Sequence, residues 1–183
     1  MDADPAHPFR RHPPSEPLAA PDTRHLRACL GSFATGVTIV TTRRDDGSYV
    51  GLTVNSFNAL SLEPALVLWS LGLKARSLPA FLSARQFAVN VLAAHQRELA
   101  LRFARTTGDR FAGVELHQGY GGVPLIDGAL AWFECDAHAH HRHGDHVLFI
   151  GQVRRCARVP GRALVFQQGE FSALYGSEEG AGG

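Results

Sequence analysis

A β-branched run, Val37-Thr-Ile-Val-Thr-Thr42, and a second strand-like run, Tyr49-Val-Gly-Leu-Thr-Val54, flank Asp45-Asp-Gly-Ser48, and no other feature constrains the fold of this chain as strongly. Branching at Cβ suits a pleated strand better than a helix, and Asp-Gly supplies the backbone freedom of a tight turn. The pair predicts a β-hairpin. Further strands are predicted at Ala65–Leu71, Phe87–Leu92, Ala129–Ala139, Val147–Val159 and Ala163–Gln167, with a hairpin turn at Arg142–Asp145. Ala65–Leu71 is apolar at nearly every position, which predicts a central strand buried on both faces. About seven strands with few helices predict a mainly β fold, a β-barrel with flanking helices, because open antiparallel edges of this length invite aggregation.

Three helices are expected. Asp22 or Thr23 caps the first, which runs to about Phe33 with Leu26, Cys29, Leu30 and Phe33 on one face; Ala34-Thr-Gly36 then breaks it. Ser77–Leu82 is short and tolerates Pro79 in its first turn. His95–Arg105 is amphipathic and is expected to cover one barrel end, while the glycine-rich Gly119–Gly128 reads as a loop. Residues 1–21 carry six prolines and no hydrophobic period, so a mobile arm is expected before a domain of residues 22–172 and a flexible tail of residues 173–183.

Composition narrows the function. A formal charge of +1, with basic residues scattered, gives no footprint for nucleic acid. No window of about 18 apolar residues and no leader-like apolar segment is present, so no membrane span and a cytoplasmic location are expected. Cys29, Cys135 and Cys156 are odd in number and lack a CxxC spacing, which predicts buried free thiols rather than a disulfide framework or zinc knuckle. Walker, GxGxxG and GxSxG motifs are absent.

Three polar groups bear on chemistry. Thr53, Asn55, Ser56 and Asn58 lie where a strand gives way to a loop and offer both donors and acceptors, as the ribityl chain and pyrimidine edge of a flavin require. The same residue types also bond their own backbone in turns. Lys74, Arg76 and Ser77 follow, suited to a phosphate or equally to a plain helix cap with two solvated cations. Gly144-Asp-His146 places an imidazole beside a carboxylate able to orient it, which suits a nicotinamide contact or simply a turn before a strand. Five of the ten histidines fall between His138 and His146, but alternation along a strand splits them between faces, so no native metal is expected.

The runs Phe33–Thr42, Gly51-Leu-Thr-Val-Asn-Ser56, Ser61-Leu-Glu-Pro-Ala-Leu-Val-Leu68, Arg85–Leu92, Asp109-Arg-Phe-Ala-Gly113 and Gly144-Asp-His-Val-Leu-Phe-Ile-Gly151 occur in order. Over residues 25–172 this pattern resembles the flavin reductase family, the small reductase components of two-component flavin-dependent monooxygenases. The resemblance implies an FMN-binding split β-barrel of Greek-key type, a homodimer with flavin near the subunit interface. It further implies hydride transfer from NADH or NADPH to FMN or FAD, and delivery of reduced flavin to a partner monooxygenase. Carried over by position, Thr35, Gly36, Thr53, Val54, Asn55 and Ser56 meet the flavin, Ser70 and Leu71 line its ring, and Lys74 and Ser77 take its phosphate. His146, supported by Asp145, stands at the nicotinamide as the one catalytic candidate. The His138–His143 run and Asn58 depart from the family pattern. A flavin carrier or redox sensor without turnover, and a histidine-rich metal-handling protein, are the competing readings.

Overall fold

The computed structural model describes residues 22–105 and 107–173. The proline-rich arm of residues 1–21 and the tail from residue 174 onward lie outside the described residues. Asp22 caps α1 (Thr23–Gly31) by accepting from the His25 backbone N at 2.7 Å. The helix stops short of Phe33, and its apolar stripe does not face the core: Leu30 is 63% and Phe33 74% exposed. Its C-terminal end is tied to the C-terminal strands instead, through Gln168 N on Gly31 O (2.8 Å) and Gln167 Nε2 on Ser32 O (3.0 Å).

The strands are β1 (Thr35–Gly36), β2 (Thr38–Arg43), β3 (Tyr49–Val54), β4 (Asn58–Leu62), β5 (Ala65–Gly72), β6 (Gln86–Val91), β7 (Leu116–Gln118), β8 (Pro124–Ile126), β9 (Ala131–His143), β10 (His146–Arg158), β11 (Leu164–Gln167) and β12 (Glu170–Ala173). The helices α2 (Leu78–Ser83) and α3 (Arg97–Ala104) complete the described elements, with 3₁₀ turns at Ala94–Gln96 and Tyr120–Gly122. Seven strands form one antiparallel sheet in the order β3-β2-β6-β9-β10-β5-β4; β1-β11-β12 and β7-β8 form smaller sheets. The fold is mainly β, as expected, yet the hydrogen-bonded ladder does not close. Where β3 nears β5, Ser56 bridges the seam: its Oγ donates to Ser70 O (3.1 Å) and accepts from Ser70 N (3.0 Å).

Several expectations need correction. β5 is not the strand buried on both faces. Val67, Trp69 and Leu71 point inward while Leu66, Leu68 and Ser70 are half-buried, and only the edge strand β4 lies beyond it. The two-faced strands are β2 and β6, whose polar members concealed the fact. Buried Asn90 donates to Ile39 O and Thr41 Oγ1 and accepts from Ile126 N, while Thr41 donates to Pro124 O at 2.6 Å; paired in this way, polar groups tolerate full burial. β8 falls within the Gly119–Gly128 stretch expected as a loop, and β4, β7 and β12 match none of the expected strands, because strands this short show no clean alternation. β9 and β10 run to a turn of only Gly144-Asp145, so His138–His143 are strand residues. Cys29 and Cys156 are exposed, and only Cys135 is buried, its thiol pushed up to about 12 by burial.

The main core centres on Trp69, which stacks on Phe149 at 4.5 Å and meets Phe81 and Phe87 edge-on. A second core, from Val37, Ile39, Leu92, Ala100, Phe103, Ile126 and Leu164, lies beneath α3. Gly151 is forced by the first core: a Cβ there would stand 2.9 Å from Cys135 Cβ and collide with the Phe87 ring. Gly151→Ala should therefore destabilise the protein by about 1–3 kcal/mol through overpacking, read as a lower denaturant midpoint at unchanged slope. An unaltered midpoint would mean the Phe87 ring yields freely.

Candidate functional site

The site is built where β1, β3, α1 and β11–β12 converge. A hollow of about 680 Å³ is lined by Arg27, Leu30, Phe33, Thr35, Asn55 and Phe166. It shares Asn55, Phe166 and Gly169 with a second hollow of about 340 Å³ that adds Thr53, Leu101 and Phe171. Thr53 and Ala104 continue into a third, of about 120 Å³, where Arg76, Ser77 and Arg110 stand. One track thus passes from an apolar, aromatic end, through an amide and a hydroxyl, to guanidinium groups. That sequence of surfaces fits a flat ring, a polyol and a phosphate in turn.

Each wall has a local cause. Thr35 pairs with Phe166 in the β1–β11 ladder, so strand register sets the mouth of the track; Gly36 has open space beside it. The Thr53 hydroxyl donates to Ala100 O on α3 at 2.6 Å, which leaves its oxygen an acceptor only. Asn55 is exposed, whereas the Asn58 carbonyl accepts from the following backbone N and lines none of these hollows. Ser56 and the Ser70 backbone are occupied with each other at the seam. Val54 and Leu71 turn their side chains into the core, with Leu71 5% exposed, so only their backbones can meet a ligand.

At the cationic end the structure adds Arg110, a residue the sequence reading did not single out as a phosphate candidate beside Lys74 and Ser77. Lys74 is exposed in the turn after β5 and lines none of these hollows, while Ser77 is buried at the start of α2 without a side-chain capping bond. Arg110 arrives from the connection after α3, donating from Nη1 to Gly51 O at 2.6 Å and from Nη2 to Arg105 O. Burial lowers its pKa from the ordinary arginine value, yet a guanidinium remains a cation at neutral pH. The available signal was the Asp109-Arg-Phe-Ala-Gly113 run itself.

His146 and Asp145 do not line the track. They stand at the β9–β10 tip, where His146 pairs with Gly72 at the end of β5, and Leu73 N donates to Asp145 O at 2.8 Å. Nδ1 of His146 lies 2.7 Å from Asp145 Oδ1. An ionised carboxylate only accepts, so Nδ1 carries the proton and Nε2 is left for a ligand. The hydrogen bond and charge of His146 hold the Asp145 carboxyl below its ordinary value, and Arg27, from the wall of the track, adds to that field. The β9–β10 register puts His141 and His143 opposite Leu148 and His146; among the described residues no three His, Cys, Asp or Glu side chains are grouped to hold a metal.

Residues 30–175 match the family described as flavin reductase like domain. The chain belongs to this family. It is 43% identical over 161 residues to the FMN reductase (NADH) SmoA of Agrobacterium fabrum, covering 86% of this chain and 91% of that one. It is 40% identical over 157 residues to the reductase component of the flavin-dependent trigonelline monooxygenase of Acinetobacter baylyi, covering 86% of this chain but only 51% of that relative. The NADH:FAD oxidoreductase SgcE6 of Streptomyces globisporus, solved with NAD and FAD fragments, superposes with a TM-score of 0.82 at 37% identity, over 90% of this chain and all of that one. Its mainly β fold, with the open seam described above, is shared with these structural relatives.

The depressed Asp145 carboxyl makes a contribution present above its unfolded value and lost as pH falls through the lower folded pKa. NMR titration should place its midpoint below 3.8, and His146→Phe should return it to the ordinary range. A midpoint indifferent to the substitution would remove His146 as the cause.

Proposed function

We propose that the protein is the NAD(P)H:flavin oxidoreductase of a two-component system, passing hydride from a nicotinamide to FMN or FAD and supplying reduced flavin to a partner monooxygenase. The carrying observation is the continuous track, apolar at one end and cationic at the other, in a chain 43% identical to an FMN reductase (NADH). The flavin supplies the N5 that accepts hydride from C4 of the nicotinamide. The chain's own groups bind, orient and exclude water.

Phe33 and Phe166 flank the flat ring, with Thr35, Gly36 and Asn55 at its polar edge. Thr53 accepts from a ribityl hydroxyl, and Ser56 and Ser70 keep the adjoining strands in register. Ser77, Arg76 and Arg110 hold the phosphate, with Lys74 adding charge from the turn. His146, its ring fixed by Asp145, turns Nε2 toward the nicotinamide. A second copy of the chain covers the exposed apolar residues Leu26 and Leu30 of α1, Phe33 just after it, and Leu60 and Leu62 of β4, giving the homodimer. Residues 22–172 carry this activity as one domain, in the cytoplasm, where NAD(P)H is supplied. Among the described residues no helix is long and apolar enough to cross a membrane.

Under anaerobic conditions, NADH or NADPH should bleach the visible band of excess FMN or FAD catalytically; flavin binding without bleaching would favour a carrier or sensor. His146→Ala should raise the KM for the nicotinamide about tenfold, the order of one charge-assisted hydrogen bond, with flavin affinity unchanged. Equal loss of both would remove His146 from the nicotinamide. Arg110→Met should weaken FMN about tenfold or more and leave riboflavin, which has no phosphate, unaffected. Identical effects on the two ligands would contradict the phosphate role.

A further inference from the structure

The hollow at the apolar end of the track holds a single charge. Arg27 is the one ionisable residue in the lining of that space of about 680 Å³; Leu30, Phe33 and Phe166 give its apolar surface, and Asn55 and Gln168 add neutral amides. Helical spacing puts Arg27 on the same face of α1 as Leu30 and Gly31, which line the hollow with it. α1 buries none of its residues, so its place is fixed from outside, by the bonds of Gln168 N to Gly31 O and of Gln167 Nε2 to Ser32 O. Gln168 is the one non-glycine with a left-handed backbone among the described residues, at φ 51°, so the β11–β12 turn accepts strain where it holds the helix. Arg27 itself is exposed, and among the described residues it forms neither a hydrogen bond nor an ion pair. Its charge is nevertheless felt at the β9–β10 tip. There, behind the hydrogen bond and charge of His146, it helps to hold the Asp145 carboxyl below its ordinary value.

We propose that Arg27 faces the flavin ring and stabilises the negative charge that hydride transfer creates on it. The inference rests on reading the track as the flavin site. A hydride takes both electrons of the C4–H bond from the nicotinamide to N5 of the flavin. The nicotinamide ring is oxidised and becomes a cation, while the neutral flavin ring is reduced and becomes an anion, its charge spread over N1 and the adjoining carbonyl. A guanidinium with uncommitted N–H groups, alone in an otherwise uncharged hollow, is matched to that anion: a fixed cation beside developing charge lowers the barrier without reorganising during the reaction. The opposite charge is in place as well, since Asp145, bonded to Nδ1 of His146, stands on the nicotinamide side, where positive charge develops. The two groups are thus ordered along the direction in which charge moves. Oxidised flavin is neutral at the ring and makes little call on Arg27, so the interaction strengthens on reduction.

Anaerobic redox titration of FMN bound to the purified full chain, with equilibrium titrations of oxidised FMN and riboflavin, tests this. Arg27→Met should lower the affinity for reduced relative to oxidised FMN about tenfold, the order of one charge-assisted interaction. That ratio corresponds to a fall of about 30 mV in the potential of the bound two-electron couple. Riboflavin should show the same shift, because the charge acts on the ring and not on the phosphate, and Arg27→Lys, which keeps the cation, should hold the wild-type ratio within about twofold. An unchanged ratio in Arg27→Met would overturn the proposal. So would an equal loss for both oxidation states, which a packing role of Arg27 in α1 would produce, or an effect confined to the KM for NADH, which would assign Arg27 to the Asp145–His146 pair. Failure of the underlying site reading shows elsewhere, as an Arg110→Met variant that weakens FMN no more than riboflavin.

Discussion

The architecture turns on a seam that no backbone ladder closes. β3 and β4 are the two edges of the seven-stranded sheet, and the Ser56 hydroxyl spans the gap by bonding both the N–H and the C=O of Ser70. A hydroxyl can donate and accept at once, so one side chain takes the place of a pair of ladder bonds. Each such bond contributes about 1 kcal/mol net, but leaving buried partners unmade costs more. The segment running into the seam carries Thr53 and Asn55, so the clamp across the seam also fixes the middle of the proposed flavin track.

Rigidity on the other side comes from polar groups inside the protein. Asn90, Thr38, Thr41 and Thr42 are buried and spend their hydrogen bonds on neighbouring backbone. They let β2 and β6 pack on both faces, with the Trp69 cluster on one side and the layer beneath α3 on the other. α3 is in turn held by the Thr53 hydroxyl, which joins the second core to the site. A groove made from strand residues and a bonded helix is more exact than one carried on free loops.

Features governed by neighbouring residues were legible in the sequence. Asp22 caps α1, and Asp45-Asp-Gly-Ser48 forms its turn with Gly47 at φ 85° and Asp46 accepting from Ser48 N. The family motifs include Thr35, Thr53 and Asn55, which line the hollows, and the bonded Asp145–His146 pair. What could not be read was the commitment of each polar group: Ser56 and Thr53 look like ligand-binding hydroxyls in sequence, and the fold has already engaged them. Lys74 stands three residues from Ser77 in sequence, while Arg110 comes near Ser77 only through the fold, held by a bond to Gly51 O, 59 positions away. The apolar face of α1 was correctly recognised as apolar, but periodicity does not say whether a stripe meets its own core or another molecule.

The bond from Leu73 N to Asp145 O makes one body of two pieces of chain far apart in sequence. It joins the tip that carries His146 to the turn leading to Ser77. The proposed nicotinamide contact and the proposed phosphate end are therefore linked through the backbone of the free protein. Encounter is governed by ligand concentration, and product can depart without dismantling the pocket, which suits a protein whose output is a molecule released to another enzyme.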